Sequence, residues 1–273
     1  METGNHRPLI SVITINRNNA EGLRRTLATT AAQTFDGFEH LVIDGASTDD
    51  SPDVILEFKD RITFWCSQQD TGVYNAMNKG VSMAETEYVL FLNSGDHLAA
   101  PDALARALPH LGDHDLCYFD LEIREPAGSL RPSPWLKQYP DVLRFSHFIE
   151  DSLPHPACFT RRSLFERFGP YDESLRICAD WKAFMLWVCR HGCTYKHVPE
   201  VLSVFYTDGI SSRPESQQRL LAEREAVLQA EFPTFLADAR TYLRTRDASE
   251  NIDALRRSRV IRVLQRAGLV WKF

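Results

Sequence analysis

The apolar positions of the first 120 residues fall into short β-branched or aromatic runs separated by stretches of helical spacing. LISVITI (9–15), 39–43, 61–66, EYVLFL (87–92) and 115–119 each have the composition and length of a strand. Between them, residues 20–33 have helical composition, and Asp49 and Asp50 precede a short helix through Phe58. Val73, Met77, Val81 and Ala84 recur three and four apart, which predicts a helix with one buried face. Pro101 suits the first position of another helix. Strands alternating with helices at this interval predict an α/β fold with a doubly wound, mostly parallel sheet covered on both faces.

Near residue 125 the pattern changes. REPAGSLRPSPWLKQYP (124–140) is proline-rich and aperiodic, and reads as a loop or lid. A short strand at 156–160, a helix at 180–190 and strands within 194–206 follow. From about 214 the chain reads as helices rich in Arg, Leu and Glu, so the expected division is a domain at 1–212 and a helical extension at 213–273.

Composition narrows the function. The 273 residues carry 31 basic and 37 acidic side chains, a net charge of −6. That balance argues against binding to long nucleic acid, which needs a basic footprint. METGNHRPLISVITI lacks the basic and apolar regions of a leader peptide, and no window reaches the roughly 18 apolar residues of a membrane span. A cytoplasmic location is therefore expected. Residues 254–273 form a local exception, with six basic and no acidic residues interleaved with apolar ones and ending in Trp271 and Phe273. That stretch is read either as a peripheral helix on anionic lipid or as packing on the domain or a dimer partner. Six scattered cysteines read as buried hydrophobes, and Cys189-x-His191-x-Cys193 matches no standard zinc spacing.

The candidate chemistry sits where the apolar runs stop: ITINRNN (13–19), VIDGASTDD (42–50), QQDTGVYNAMNKG (68–80) and LFLNSGD (90–96). Polar residues at strand ends line the carboxyl edge of an open sheet, where such folds bind ligands. Four such ends point to one polyanionic ligand held across several loops. Asn16-Arg17-Asn18-Asn19 stands where a dinucleotide fingerprint would put its glycines, and no Walker A loop is present. A divalent cation, Mn2+ or Mg2+, on Asp96 is the expected substitute for a phosphate-binding loop. Asp44 is placed to accept from a base ring N–H or to close an Asx turn. Asp70 is placed to reach base or ribose, or to cap the helix after Gly72. Lys79 reads as a phosphate contact or a solvated lysine, and His155 as a contact to acceptor or diphosphate or as structural. Trp181 reads as a sugar-stacking face or as core beside Phe184 and Trp187. Asp180 reads as a helix cap or as a base whose pKa partial burial raises.

Taken in order, these four segments resemble the family 2 glycosyltransferases of GT-A fold. HPACFTRRSLFERFG (155–169), YDESLRICADW (171–181) and VFYTDGISS (204–212) extend the resemblance over about residues 8–212. It implies a Rossmann-like sheet, a nucleotide-sugar half at about 8–120 and an acceptor half at 121–212. It also implies inverting transfer from a nucleotide-diphosphate sugar, UDP-sugar first and GDP-sugar second, to a saccharide or lipid-linked saccharide of the bacterial cell surface. By resemblance Asp44 and Asp70 contact base and ribose, Asp96 the metal, and Asp180 is the base. Asn16, Arg17, Gly72, Asn75, Lys79, Asn93, Ser94 and Gly95 complete the expected donor site, with His155 and Trp181 toward the acceptor. Two departures from the family pattern stand out. Asn93-Ser94-Gly95-Asp96 lacks the first carboxylate of a DxD motif, and Ala179-Asp180 lacks the first of a Glu-Asp pair. An inactive carbohydrate- or partner-binding domain and a nucleotidyltransferase are the competing readings. The latter lacks its glycine-rich basic loop here.

Overall fold

The computed structural model describes residues 9–125, 133–207, 209 and 214–258. In chain order its elements are β1 (Ile10–Asn16), α1 (Ala20–Ala31), β2 (Phe38–Asp44), α2 (Ser51–Glu57), β3 (Phe64–Ser67), α3 (Val73–Met83), β4 (Tyr88–Phe91) and β5 (His97–Leu98). Then come α4 (Ala103–Ala107), β6 (Leu116–Arg124), β7 (Trp135–Lys137), α5 (Phe145–Glu150), β8 (Cys158–Arg161) and α6 (Ser163–Phe168). The remainder is α7 (Ala179–Met185), a π turn (Leu186–Arg190), β9 (Tyr195–Tyr206), α8 (Pro214–Glu231) and α9 (Pro233–Arg257).

The described strands form one sheet in the order β3-β2-β1-β4-β8-β6-β9-β5, with β7 on β6. The expected mostly parallel, Rossmann-like sheet is wrong. Only β3-β2-β1-β4 and the β6–β9 pair are parallel, whereas β8 runs antiparallel to both β4 and β6, and β5 and β7 pair antiparallel with β9 and β6. The sheet is mixed. The source of the error is specific: β6 does point the same way as β4, as strand–helix alternation requires. However, β8, which follows β6, β7 and α5 in the chain, inserts between them, and periodicity carries no information about that partner. The residues expected as several strands within 194–206 form a single strand, whose register against β6 shifts at Asp120. Pro199 lies at that irregularity; it has no N–H for a ladder, so the strand bulges there.

Faces follow from register. Val42 pairs with Thr14 and Ile13 with Leu41, so Val42 and Ile13 point to opposite sides. Leu23 and Leu27 of α1 with Val54 and Ile55 of α2 form a core on Val42. On the other side α3 packs on Ile13. β1 is buried along its whole length, which explains its predominantly apolar, β-branched composition. Its polar exceptions are paired: Ser11 donates to Glu39, and Thr14 Oγ1 lies 3.0 Å from His40 Nε2.

The chain divides into two compact units between Glu223 and Arg224. The second holds the end of α8 and α9. Among the described residues no helix is long and apolar enough to cross a membrane. Part of the proline-rich lid (126–132) and most of the basic terminal stretch (259–273) lie outside the described residues, as do Asp208 and residues 210–213.

Candidate active site

Parallel pairing sets Asn16, Asp44 and Ser67 abreast at the carboxyl ends of β1, β2 and β3. The Asp44 carboxylate is fully buried and accepts four hydrogen bonds. The donors are Asn16 Nδ2 at 2.8 Å, the Ser47 backbone N–H at 2.9 Å, Ser47 Oγ at 2.5 Å and Ser67 Oγ at 2.6 Å. An ionised carboxyl has about four acceptor sites, so all are filled by the protein. Asp44 therefore ties three strand ends together, and a base N–H would have to displace one of these donors. The Asn16 Oδ1 acceptor, by contrast, is buried without a protein partner among the described residues. Ser47 and Ser67 were not expected from sequence, where serine at a strand end carries no distinguishing signal.

Asp70 lies against the end of β2 because residue 45 is glycine. A Cβ there would fall 2.3 Å from Asp70 Oδ2 and 3.3 Å from Arg17 Cδ. The Asp70 side chain is 6% exposed, accepts the Gly72 N–H at 3.0 Å and faces Arg17 Nη1 at 3.6 Å. Gly72 has φ of +146°, a backbone conformation that other residues enter only with strain. Asp70 thus makes the turn before α3 with Oδ1 toward Gly72 and Arg17 and Oδ2 against Gly45.

Residues 93–96 form a loop fastened from beneath by α1. Thr26 Oγ1 donates to the Asp96 carbonyl at 2.6 Å and lies 3.0 Å from the Gly95 N–H, while Asn19 Nδ2 donates to the Ser94 carbonyl at 3.0 Å. Asp96 is 6% exposed. Thr26 carries no signal in the sequence, where it reads as an ordinary helical residue.

His155 joins this loop to the start of α7. Its Nε2 lies 3.1 Å from Asn93 Nδ2 and 3.9 Å from Asp96 Oδ2, and its Nδ1 lies 3.4 Å from Asp180 Oδ2. A neutral ring protonated on Nδ1 satisfies both sides, donating to Asp180 and accepting from Asn93; this leaves Asn93 Oδ1 buried and unpaired. Tyr74 closes the far side: its hydroxyl lies 2.8 Å from Asp180 Oδ1 and 2.6 Å from the Ile177 carbonyl. Burial pushes the Asp180 carboxyl up, but the hydrogen bond and charge of His155, the Tyr74 hydroxyl and the Trp181 N–H outweigh it. The net shift is downward, opposite to the rise expected from partial burial alone. Burial pulls the His155 imidazole down, and Asp180 and Asp96 together carry it above its ordinary value. Asp180 is the second residue of α7, not its cap, which is Cys178.

Three expected contacts point elsewhere. Trp181 is 1% exposed and its indole donates to the Phe148 carbonyl at 2.6 Å, so its ring offers no face to a sugar. Asn75 donates to Glu173 at 2.9 Å, and Lys79 to the Gln69 carbonyl at 3.1 Å.

The model of the glycosyl transferase family 2 matches residues 11–169, more than half of the chain. The chain belongs to this family. Among curated relatives, an uncharacterised glycosyltransferase of Mycobacterium tuberculosis is 33% identical over 76% of this chain and 79% of its own length. A mycobacterial PGL/p-HBAD biosynthesis glycosyltransferase is 35% identical over 64% of this chain and 67% of its own. Among solved structures, TarS of Staphylococcus aureus in complex with UDP-GlcNAc superposes with a TM-score of 0.58 at 20% identity, covering 72% of this chain; the matched region spans 58% of the TarS chain. The mannosyltransferase PcManGT of Pyrobaculum calidifontis, solved with GDP-Man and Mn2+, has a TM-score of 0.58 at 19% identity over 97% of this chain and 80% of its own. The mixed sheet is thus a GT-A-like fold, and its family makes the protein a glycosyltransferase.

Proposed function

We propose that the enzyme inverts the anomeric centre, moving a hexosyl or N-acetylhexosaminyl unit from a UDP-sugar to a saccharide or lipid-linked saccharide hydroxyl. The observation that carries this reading is His155, which spans Asp96 on one side and Asp180 on the other. A single side chain thereby couples a carboxylate suited to the diphosphate end of a donor with one suited to the acceptor.

Base and ribose would lie at the strand ends beside Arg17 and Asp70, where the buried Asn16 Oδ1 is an acceptor without a protein partner among the described residues. Among the described residues no three His, Cys, Asp or Glu side chains gather into a ready cage. Asp96 and the unpaired Asn93 Oδ1 are nonetheless hard oxygen ligands of the kind Mn2+ and Mg2+ take. These two residues would hold the ion, which when bound supplies charge neutralisation at the departing diphosphate. Asp180 accepts the proton of the attacking acceptor hydroxyl, while Tyr74 and His155 fix its two oxygens in place. GDP-sugar is the second reading, favoured by the extent of the likeness to PcManGT.

The test is hydrolysis and transfer from UDP-, GDP- and dTDP-sugars with and without manganese. Asp96→Asn should remove about 2–4 kcal/mol of transition-state stabilisation. Manganese-independent turnover that this substitution leaves intact would reject the assignment.

A further inference from the structure

A cleft of about 410 Å³ opens between the start of α3, the stretch before α7 and the first turns of α8. Tyr74 and Ile177 form its wall nearest the base, since the Tyr74 hydroxyl reaches both Asp180 and the Ile177 carbonyl. Two exposed guanidiniums line it. Arg176 spends one N–H on the Thr71 carbonyl at 2.8 Å, and Arg219 makes no hydrogen bond or ion pair with the described residues. Each guanidinium has five donors, so most of this donor capacity is uncommitted. The carboxylates are not equivalent to them: Glu173 accepts from Asn75 and Asn78, both at 2.9 Å, and Glu215 stands exposed on α8.

We infer that this cleft is the acceptor subsite, and that its acceptor is a saccharide bearing a phosphate or diphosphate held by Arg176 and Arg219. The inference rests on Asp180 as the base and names the substrate class that would reach it. Paired guanidiniums in a concave site match a phosphate's fork of oxygens and concentrate anions. Glu215 is left to accept sugar hydroxyls, and Val73 and Leu175 to pack against a sugar's C–H face. The donor's own diphosphate has a separate place, at the 93–96 loop.

Calorimetry on the full chain saturated with UDP and magnesium tests this with three probes: glucose 1-phosphate, glucose and inorganic phosphate. Glucose 1-phosphate should bind, and bind more tightly than either of the others. Arg219→Gln should weaken it about tenfold, Arg219→Lys should recover part of the loss, and the Arg176→Gln/Arg219→Gln pair should abolish it. Arg219 is exposed and unpartnered, so its replacement does not threaten folding. Equal binding of inorganic phosphate would make this a free-anion site and overturn the saccharide assignment. Wild-type affinity in Arg219→Gln, or no binding to the wild type, would overturn the site itself. Nucleotide-sugar hydrolysis is measured on the same samples. Hydrolysis that survives Arg219→Gln supports an acceptor role, and its loss there would move the cleft to the donor and reject the proposal. Absent hydrolysis in the wild type counts instead against the reaction.

Discussion

Asp180 shows how far a residue's chemistry depends on neighbours remote in sequence. Tyr74 lies 106 positions away, yet it supplies the hydrogen bond to one carboxylate oxygen while His155 faces the other. Both interactions favour the ionised form, so Asp180 is charged across the physiological range. It is then a weak base that is always ready, and proton transfer must accompany bond formation rather than precede it. Tyr74→Phe removes a hydrogen bond to a charged group, an interaction of about 1.5–3 kcal/mol. Its carboxyl should therefore titrate higher, and the acid limb of the kcat/KM profile should move to higher pH. An unmoved limb in this variant would show that Tyr74 only packs. Asp180→Asn should depress kcat while leaving UDP affinity intact, as judged by calorimetry beside single-turnover rates. Asp180, Asp96 and His155 stood out in the sequence as polar residues beside apolar runs, and their expected roles as base, metal ligand and acceptor or diphosphate contact came with the family resemblance. The sequence did not identify Tyr74, Thr26, Ser47 or Ser67, because a phenol in a helix or a hydroxyl at a turn looks the same with or without a functional partner.

The local elements were legible wherever periodicity was strong, as in β1, β2, α1 and α3. Strand partners were not. β5 and β7 are two and three residues long and lack any usable pattern, and β8 declares neither its direction nor its place between β4 and β6. Pairing is a long-range choice made by which faces remain to be buried, and only the assembled sheet records it. Two tests belong to this scale. Gly45→Ala would drive a Cβ into Asp70 Oδ2, so the β2 end or the turn before α3 must shift. A loss of about 1–3 kcal/mol with weakened UDP binding is expected, and unchanged denaturation and affinity would mean that Asp70 moves aside freely. Within the β1–β2 pair, burial drives the His40 imidazole down to about 4. A depressed folded pKa means that the unfolded chain binds the proton first. The stability is therefore whole above pH 6.5 and is lost as pH falls toward about 4, by about 3 kcal/mol. His40→Gln should flatten the fall of the urea midpoint between pH 7 and 4.5; parallel curves for the two proteins would assign the acid sensitivity elsewhere.

On the scale of the whole molecule, charge is unevenly shared. A chain of net charge −6 ends in a stretch, 254–273, with six basic and no acidic residues, interleaved with Leu255, Val260, Ile261, Val263, Leu264 and the closing Trp271 and Phe273. Among the described residues no helix is long and apolar enough to cross a membrane. Each basic residue near an anionic surface contributes ~1 kcal/mol, and the attraction fades within a Debye length as salt rises. Apolar side chains between the arginines add burial that salt does not screen. The two contributions give the test its form. The full chain should float with vesicles rich in anionic lipid at low ionic strength, partly detach at high salt, and ignore neutral vesicles. A chain ending at residue 250 should stay in solution throughout while hydrolysing nucleotide sugar at the same rate, because every candidate catalytic residue lies before it. Light scattering distinguishes the other reading, in which the basic end packs on a second copy: shortening would then convert a dimer to a monomer without changing flotation. Equal flotation of both chains at every salt concentration would rule out membrane attachment through this segment.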